Sequence, residues 1–201
     1  NSLIMEKDEI IIQEIINGAK KLMQQYGLKK TTMEDIAQTA GKSKSTLYYY
    51  FKDKEEIFDK VINLEIDEFF QTVKTSVNKQ ADAISMLKAY IVTKVKILRD
   101  KTNLYSIAIK NDLQGRVNKG FTNLRNRYDN EEKLLISSIL TKGVESKLFT
   151  NEIKNEIDTL SELLVSCIRG IEMDIIAHNK NKALADKADL LVEILIKGIG
   201  R

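Results

Sequence analysis

The apolar residues of this chain recur at three- and four-residue spacing almost from end to end, and nowhere do four or more residues alternate as a half-buried strand would. Nothing in the chain resists that period: it has no proline and only 9 glycines. Ile11, Ile12, Ile15, Ile16, Ala19, Leu22 and Met23 stripe a first helix over 8–26, which Gly27 stops. Thr32 and Asp35 form a variant capping box that opens a short helix through Thr39, and Gly41 breaks it. Ser43 caps a second short helix over about 44–50, and Asp53 with Glu56 opens a long one to about 78. Ile84, Leu87, Ile91, Val95 and Leu98 suit the next helix face, and Leu104, Ile107, Ala108 and Leu113 the one after. Gly115 and Gly120 weaken the following stretch before Leu134, Leu135, Ile139 and Leu140 restore the pattern. Residues 142–150 read as a turn around Gly143, followed by helices over 151–178 and 182–199. The expectation is an all-α chain of about nine helices, divided into units 1–52 and 53–201.

Composition bounds the function. With 43% apolar and 30% charged residues the chain is globular rather than disordered. Its longest apolar runs, such as Ile10–Ile12, are far short of the roughly 20 residues that span a bilayer, and no signal peptide is read. One cysteine, Cys167, excludes an internal disulfide and fits a reducing cytoplasm. His178 is the only histidine and lies far from Cys167, so neither a zinc site nor a Cys–His pair is read. With no phosphate-cradling glycine loop either, the chain is expected to be no enzyme and to carry no cofactor or metal.

The net charge of +3 is small, but its distribution is uneven. Between Lys20 and Lys54 there are eight lysines against three acids, which leaves the remainder of the chain slightly negative. A basic excess on one short segment suits a nucleic-acid footprint, and a solvated lysine face would look the same. That segment holds both short helices. Met33, Ile36, Ala37 and Ala40 line one face of the first; Leu47, Tyr50 and Phe51 line one face of the second. Ala37 and Ala40 are small where helices cross, and Gly41 supplies the positive φ of a sharp turn. Helical spacing then gathers Lys44, Ser45, Tyr48, Tyr49 and Lys52 on the opposite face. Cations, a hydroxyl and two phenols suit base edges and phosphates in a major groove. A tyrosine packed on the neighbouring unit is the structural alternative. Helix N-termini at Thr32, Ser43 and Asp53, with Lys54 beside the last, add donors at the same rim.

Residues 31–58, TTMEDIAQTAGKSKSTLYYYFKDKEEIF, resemble the signature of the TetR family of bacterial transcriptional regulators, with turn glycine, serine cap, Leu-Tyr and Tyr-Phe in register. The resemblance covers about 50 N-terminal residues and implies a three-helix DNA-binding head, then a helical ligand-binding and dimerisation domain. Carried over position by position, it places Thr32, Ser43, Lys44, Ser45, Thr46, Tyr48, Tyr49 and Lys54 towards DNA. It further implies a homodimeric repressor of a palindromic operator, with recognition helices in major grooves about 34–36 Å apart. Two positions depart from the pattern: Lys42 stands where the family usually has a small apolar residue, and Ser45 where it has glycine. Lys42 either points outward to a phosphate or is simply solvated.

The last two helices are apolar on more than one face, so more than one face is buried. Leu160, Leu164, Ile168, Ile171 and Ile175 form one stripe and Leu184, Ala188, Leu191 and Leu195 another; these are the expected dimer interface, with Leu163, Val165, Met173, Leu190 and Ile194 off the stripes. A small-molecule inducer is expected between the long connecting helix and the later ones, lined by Phe69, Phe70, Tyr90, Leu98, Tyr105, Ile109, Phe121, Tyr128 and Cys167, although aromatics at this spacing are also ordinary core. Few charges fall at buried positions, which favours an apolar or aromatic ligand. Arg169 suits a surface ion pair better than an anionic ligand. The competing function is a helix-turn-helix scaffold that organises DNA or binds protein without an inducer, and a filled, closed C-terminal core would mark it.

Overall fold

A computed structural model describes residues 2–100, 119–178 and 188–200, with side chains at 6–98, 128–172, 190 and 192–200. Among these residues the chain forms eight α-helices: α1 Ser2–Tyr26, α2 Met33–Thr39, α3 Lys44–Tyr50, α4 Lys54–Asn78, α5 Ala83–Asp100, α6 Lys119–Glu145, α7 Ile157–His178 and α8 Ala188–Ile199. A 3-10 turn, Asn151–Glu156, leads into α7. The expected helix around Leu104–Leu113 lies outside the described residues. No strand occurs among them; one isolated bridge pairs Phe149 with Gly200 and carries the Thr150 N–H bond to the Ile199 carbonyl, 2.9 Å.

The local chemistry explains where the first helices start and stop. Thr32 accepts from the Asp35 amide, and the Asp35 carboxylate accepts from the Thr32 amide, a complete capping box. Ser43 accepts from the Thr46 amide at 3.0 Å and Asp53 from the Glu56 amide at 2.9 Å. Glu56 departs from the expected pairing: its carboxylate accepts from the Lys52 amide, one residue before the cap. Gly27 and Gly41 both have positive φ, 80° and 64°, as helix-ending turns require.

Two apolar cores share α4. The first joins Ile15, Ile16, Ala19 and Met23 of α1, Ile36 and Ala37 of α2, and Leu47 and Phe51 to Ile57, Phe58, Val61 and Ile62. Packing of the head therefore runs past residue 52 into the connector. Gly18 lets α1 close on α2: a Cβ there would stand 3.2 Å from the Ala40 amide nitrogen. The second core joins Val73 and Val77 of α4 to α5, α6, α7 and α8, centred on Leu87, Tyr90, Ile136, Ile139, Leu140 and Phe149. Each fully buried Ile or Leu contributes about 1.5–3 kcal/mol.

Gly143 is not a turn residue. Helix α6 continues through it to Glu145, and the positive φ of the following turn falls on Lys147 at 63°. The glycine is needed for packing instead, because a Cβ would lie 2.0 Å from Cδ2 of the buried Phe149 ring.

Candidate nucleic-acid interface

Helix α3 presents the expected face. Leu47 is buried and Phe51 nearly so, while Lys44, Ser45, Tyr48, Tyr49 and Lys52 are exposed, Tyr49 at 78%. Neither Tyr48 nor Tyr49 packs away against the rest of the chain. The flat donor-bearing surface is rigid because Tyr50, half-buried, donates its hydroxyl to Asp8 of α1 at 2.6 Å. That hydrogen bond raises the Tyr50 phenol to about 12. The Tyr49 ring meets the Tyr50 ring edge-on at 4.8 Å, so α1 orients the most exposed aromatic of α3 through one intermediate.

The cations around this face differ in what they touch. Lys44 pairs with Glu34 of α2, which raises the lysine and lowers the carboxyl. Lys42 turns back to Glu14 of α1 at 2.6 Å, an ion pair that neither of its two readings anticipated. Lys54 also departs from expectation. Its ammonium donates to the Leu28 and Thr31 carbonyls, 3.1 Å each, so the part-buried backbone of the α1–α2 turn draws it away from the rim. Ser43 bridges the Ser45 and Thr46 hydroxyls at 2.8 and 2.7 Å, and the Thr32 hydroxyl is held by Asp35.

Ion pairs link this head to the helices beyond it. Lys20 of α1 pairs with Glu65 and Glu68 of α4, and Glu65 is fully buried. Tyr128 of α6 donates to Asp67 in the same stretch of α4 and lies 5.6 Å from the Phe70 ring.

The C-terminal expectations are only partly matched. Phe70, Tyr90 and Leu98 are buried and Phe69 half-buried, all on α4 and α5. Cys167 is exposed, because residues 163 and 167 fall one turn apart on the outward face of α7. Part of the expected dimer stripes packs within the chain itself. Ile168 is buried in the chain's own core, and Leu160, Leu164, Ile171 and Leu195 pack against it. Among the residues of α7 and α8 whose side chains are described, the large apolar ones left exposed are Leu163, Leu190 and Ile194, which were set off the stripes. Tyr105, Ile109, Phe121, Ile175, Leu184, Ala188 and Leu191 lie outside the residues whose side chains are described.

Buried charge is the feature the sequence reading missed. Lys94 of α5 is buried within the second unit, paired with Glu132 of α6 and with Glu172 of α7 at 2.6 Å. Burial disfavours its charge, yet Glu172, Tyr90 and Glu132 outweigh that and raise Lys94 well above the usual range. Burial raises Glu172 in turn. The Tyr90 hydroxyl accepts from Lys94 at 3.4 Å, and the Tyr90 and Phe69 rings lie 5.3 and 5.9 Å from the ammonium. A signal was present: Lys94 follows Leu87, Tyr90 and Ile91 at helical spacing, within the apolar stripe. Arg169 pairs with Asp129 at 2.6 Å at the edge of this cluster, the ion pair expected of it.

No group of three or more metal-ligating side chains occurs among the described residues, and none of their helices is long and apolar enough to cross a membrane. Residues 15–61 match the model of bacterial regulatory proteins of the tetR family. Over 147 residues, 72% of this chain and 70% of the relative, the sequence is 27% identical to the HTH-type transcriptional repressor KstR2 of Rhodococcus jostii. A crystal structure of a transcriptional regulator from Cytophaga hutchinsonii superposes with a TM-score of 0.77 at 27% identity, covering 93% of this chain and 97% of that one. The regulator FadR of Bacillus subtilis, solved in complex with stearoyl-CoA, shares the fold at TM-score 0.67 and 20% identity, over 93% of this chain and 98% of that one. With a helix-turn-helix head of the tetR-family type and an all-helical second unit, the chain is a DNA-binding transcriptional regulator similar to those of the TetR family.

Proposed function

We propose that this chain is a homodimeric repressor that binds a palindromic operator through α3 and lets go when a small molecule occupies its second unit. The observation that carries the DNA half is the exposed Lys44–Ser45–Tyr48–Tyr49–Lys52 face, fixed on a buried core and oriented through Tyr50 and Asp8. Tyr49 and Ser45 reach base edges, and Lys44 and Lys52 reach phosphates. The head extends through the first turns of α4, to about Ile62, where its core ends.

The release half follows from how α4 is held. Lys20 ties it to the head and Tyr128 ties it to α6, at residues only one turn apart. A ligand that shifts α6 against α4 therefore acts on the same turn that holds the head, provided it binds one arrangement more tightly than the other. Buried charge in the second unit supports this reading, since the Lys94–Glu132–Glu172 cluster is held at a desolvation cost that apolar packing would avoid. The partner subunit covers Leu163, Leu190 and Ile194.

Selection of bound sequences from random DNA tests the operator. Gel-shift titration of Tyr49→Ala and Lys44→Ala, alongside circular dichroism, tests the face. Both are expected to weaken binding with helicity unchanged, and unaltered affinity in both rules out the assigned face.

A further inference from the structure

We propose that Lys94, Glu132 and Glu172 form the polar anchor of the effector site, and that the effector is an organic cation: an apolar or aromatic body bearing one ammonium group. As a regulatory statement this rests on the ligand-responsive reading above; as a binding statement it stands alone.

The first argument is charge balance. One ammonium, from Lys94, faces two carboxylates. The neighbouring Arg169 is matched by Asp129 and has no charge to spare. The cluster is thus one positive charge short when both glutamates are ionised. Desolvated charge of this kind is costly unless compensated, and a bound cation compensates it. Burial accordingly disfavours the charged form of Glu172 and raises its carboxyl.

The second argument is exposure. The Lys94 side chain is 2% exposed, against 12% for Glu132 and 19% for Glu172. A molecule reaching the cluster meets the carboxylates before the ammonium. A carboxylate or phosphate head group would be repelled by both before it met Lys94.

The third is the surrounding aromatic surface. The Phe69 and Tyr90 rings already lie within cation–π range of an ammonium, 5.9 and 5.3 Å from the Lys94 nitrogen. Apolar walls beside excess carboxylate suit an amine on an apolar body. The three charged groups come from α5, α6 and α7, so a cation seated among them contacts three helices of the second unit, two of which pack on α4.

The test uses three probes of one chain length, dodecyltrimethylammonium, dodecanol and dodecanoate, titrated calorimetrically into the full chain below their micelle-forming concentrations. The cation is expected to bind tighter than either other probe by about tenfold or more, the scale of one charge-assisted contact. Glu132→Gln and Glu172→Gln are each expected to abolish that preference, whereas Glu162→Gln, an exposed acid paired with Lys133, leaves it intact. Equal binding of the three probes, preference for the carboxylate, or no binding of any overturns the proposal. If a glutamine variant loses helicity, the comparison of probes on the unmodified chain still decides. Operator release is read separately by gel shift: a cation that binds and leaves operator affinity unchanged retains the site and overturns the release mechanism.

Discussion

The Lys20 ammonium of α1 lies 3.0 Å from the Glu68 carboxylate of α4 and also pairs with the fully buried Glu65, one turn earlier. Replacing this lysine removes a cation from beside a desolvated carboxylate. Losing one member of a fully buried pair costs about 3–5 kcal/mol, and Lys20 keeps 27% of its side-chain exposure, so about 1–3 kcal/mol is expected for Lys20→Met. Urea unfolding measures it. A Lys20→Met, Glu65→Gln double-mutant cycle is expected to return a coupling term, and strict additivity counts against the pair.

Lys44 is paired with Glu34 in the free chain, so the proposed operator contact exchanges that carboxylate for a phosphate. Removing that competitor is expected to strengthen binding. An exposed pair is weak, so Glu34→Gln should tighten the operator complex only modestly, by up to about fivefold. Gel shifts at two salt concentrations give the affinity and the slope, and a weaker complex contradicts the exchange.

Gly143→Ala drives a methyl into the Phe149 ring. Overpacking of this kind costs about 1–3 kcal/mol. Thermal unfolding is expected to show the loss, with partial recovery on adding Phe149→Leu, which vacates the space the new methyl needs.

The two faces of α7 predict opposite outcomes. Leu163→Arg with Ile194→Arg should give a folded monomer by analytical ultracentrifugation, because both residues are exposed in the single chain. Ile168→Ala should leave association intact and cost about 2–5 kcal/mol, as a cavity in a core does. A stable monomer from Ile168→Ala returns the interface to the Leu160–Leu164–Ile168 stripe.

Tyr50 has a folded pKa of about 12 against an ordinary 10.0. Because folding raises it, its contribution to stability is complete below pH 10 and is lost as pH rises through about 12. Spectrophotometric titration is expected to show a late phenolate that Tyr50→Phe removes, beside that of Tyr90, which burial also raises.

Much of the head was readable because short-range rules govern it. Thr32–Asp35, Ser43 and Gly41 act within four residues, and a seven-residue helix has a face fixed by its register. What sequence could not supply was the partner of a long side chain. Lys42, Lys44 and Lys54 look alike along the chain, yet one meets Glu14, one Glu34 and one the carbonyls of Leu28 and Thr31. The same limit hid Lys94, whose acids lie 38 and 78 positions away. On α7, two apolar faces were recognised but not which one turns inward; that depends on Val165 and Ile168 meeting α5 and α6, information that no single helix contains.

Helix α4 gives its first turns to one core and its last to the other. Its central amides, near Glu65, are therefore protected from solvent exchange only while both ends stay packed. Melting of either unit frays the helix the other depends on, so the two halves cannot unfold as strangers. Any molecule that steadies the second unit should slow deuterium uptake in the head, even where it leaves the average position of α3 unchanged.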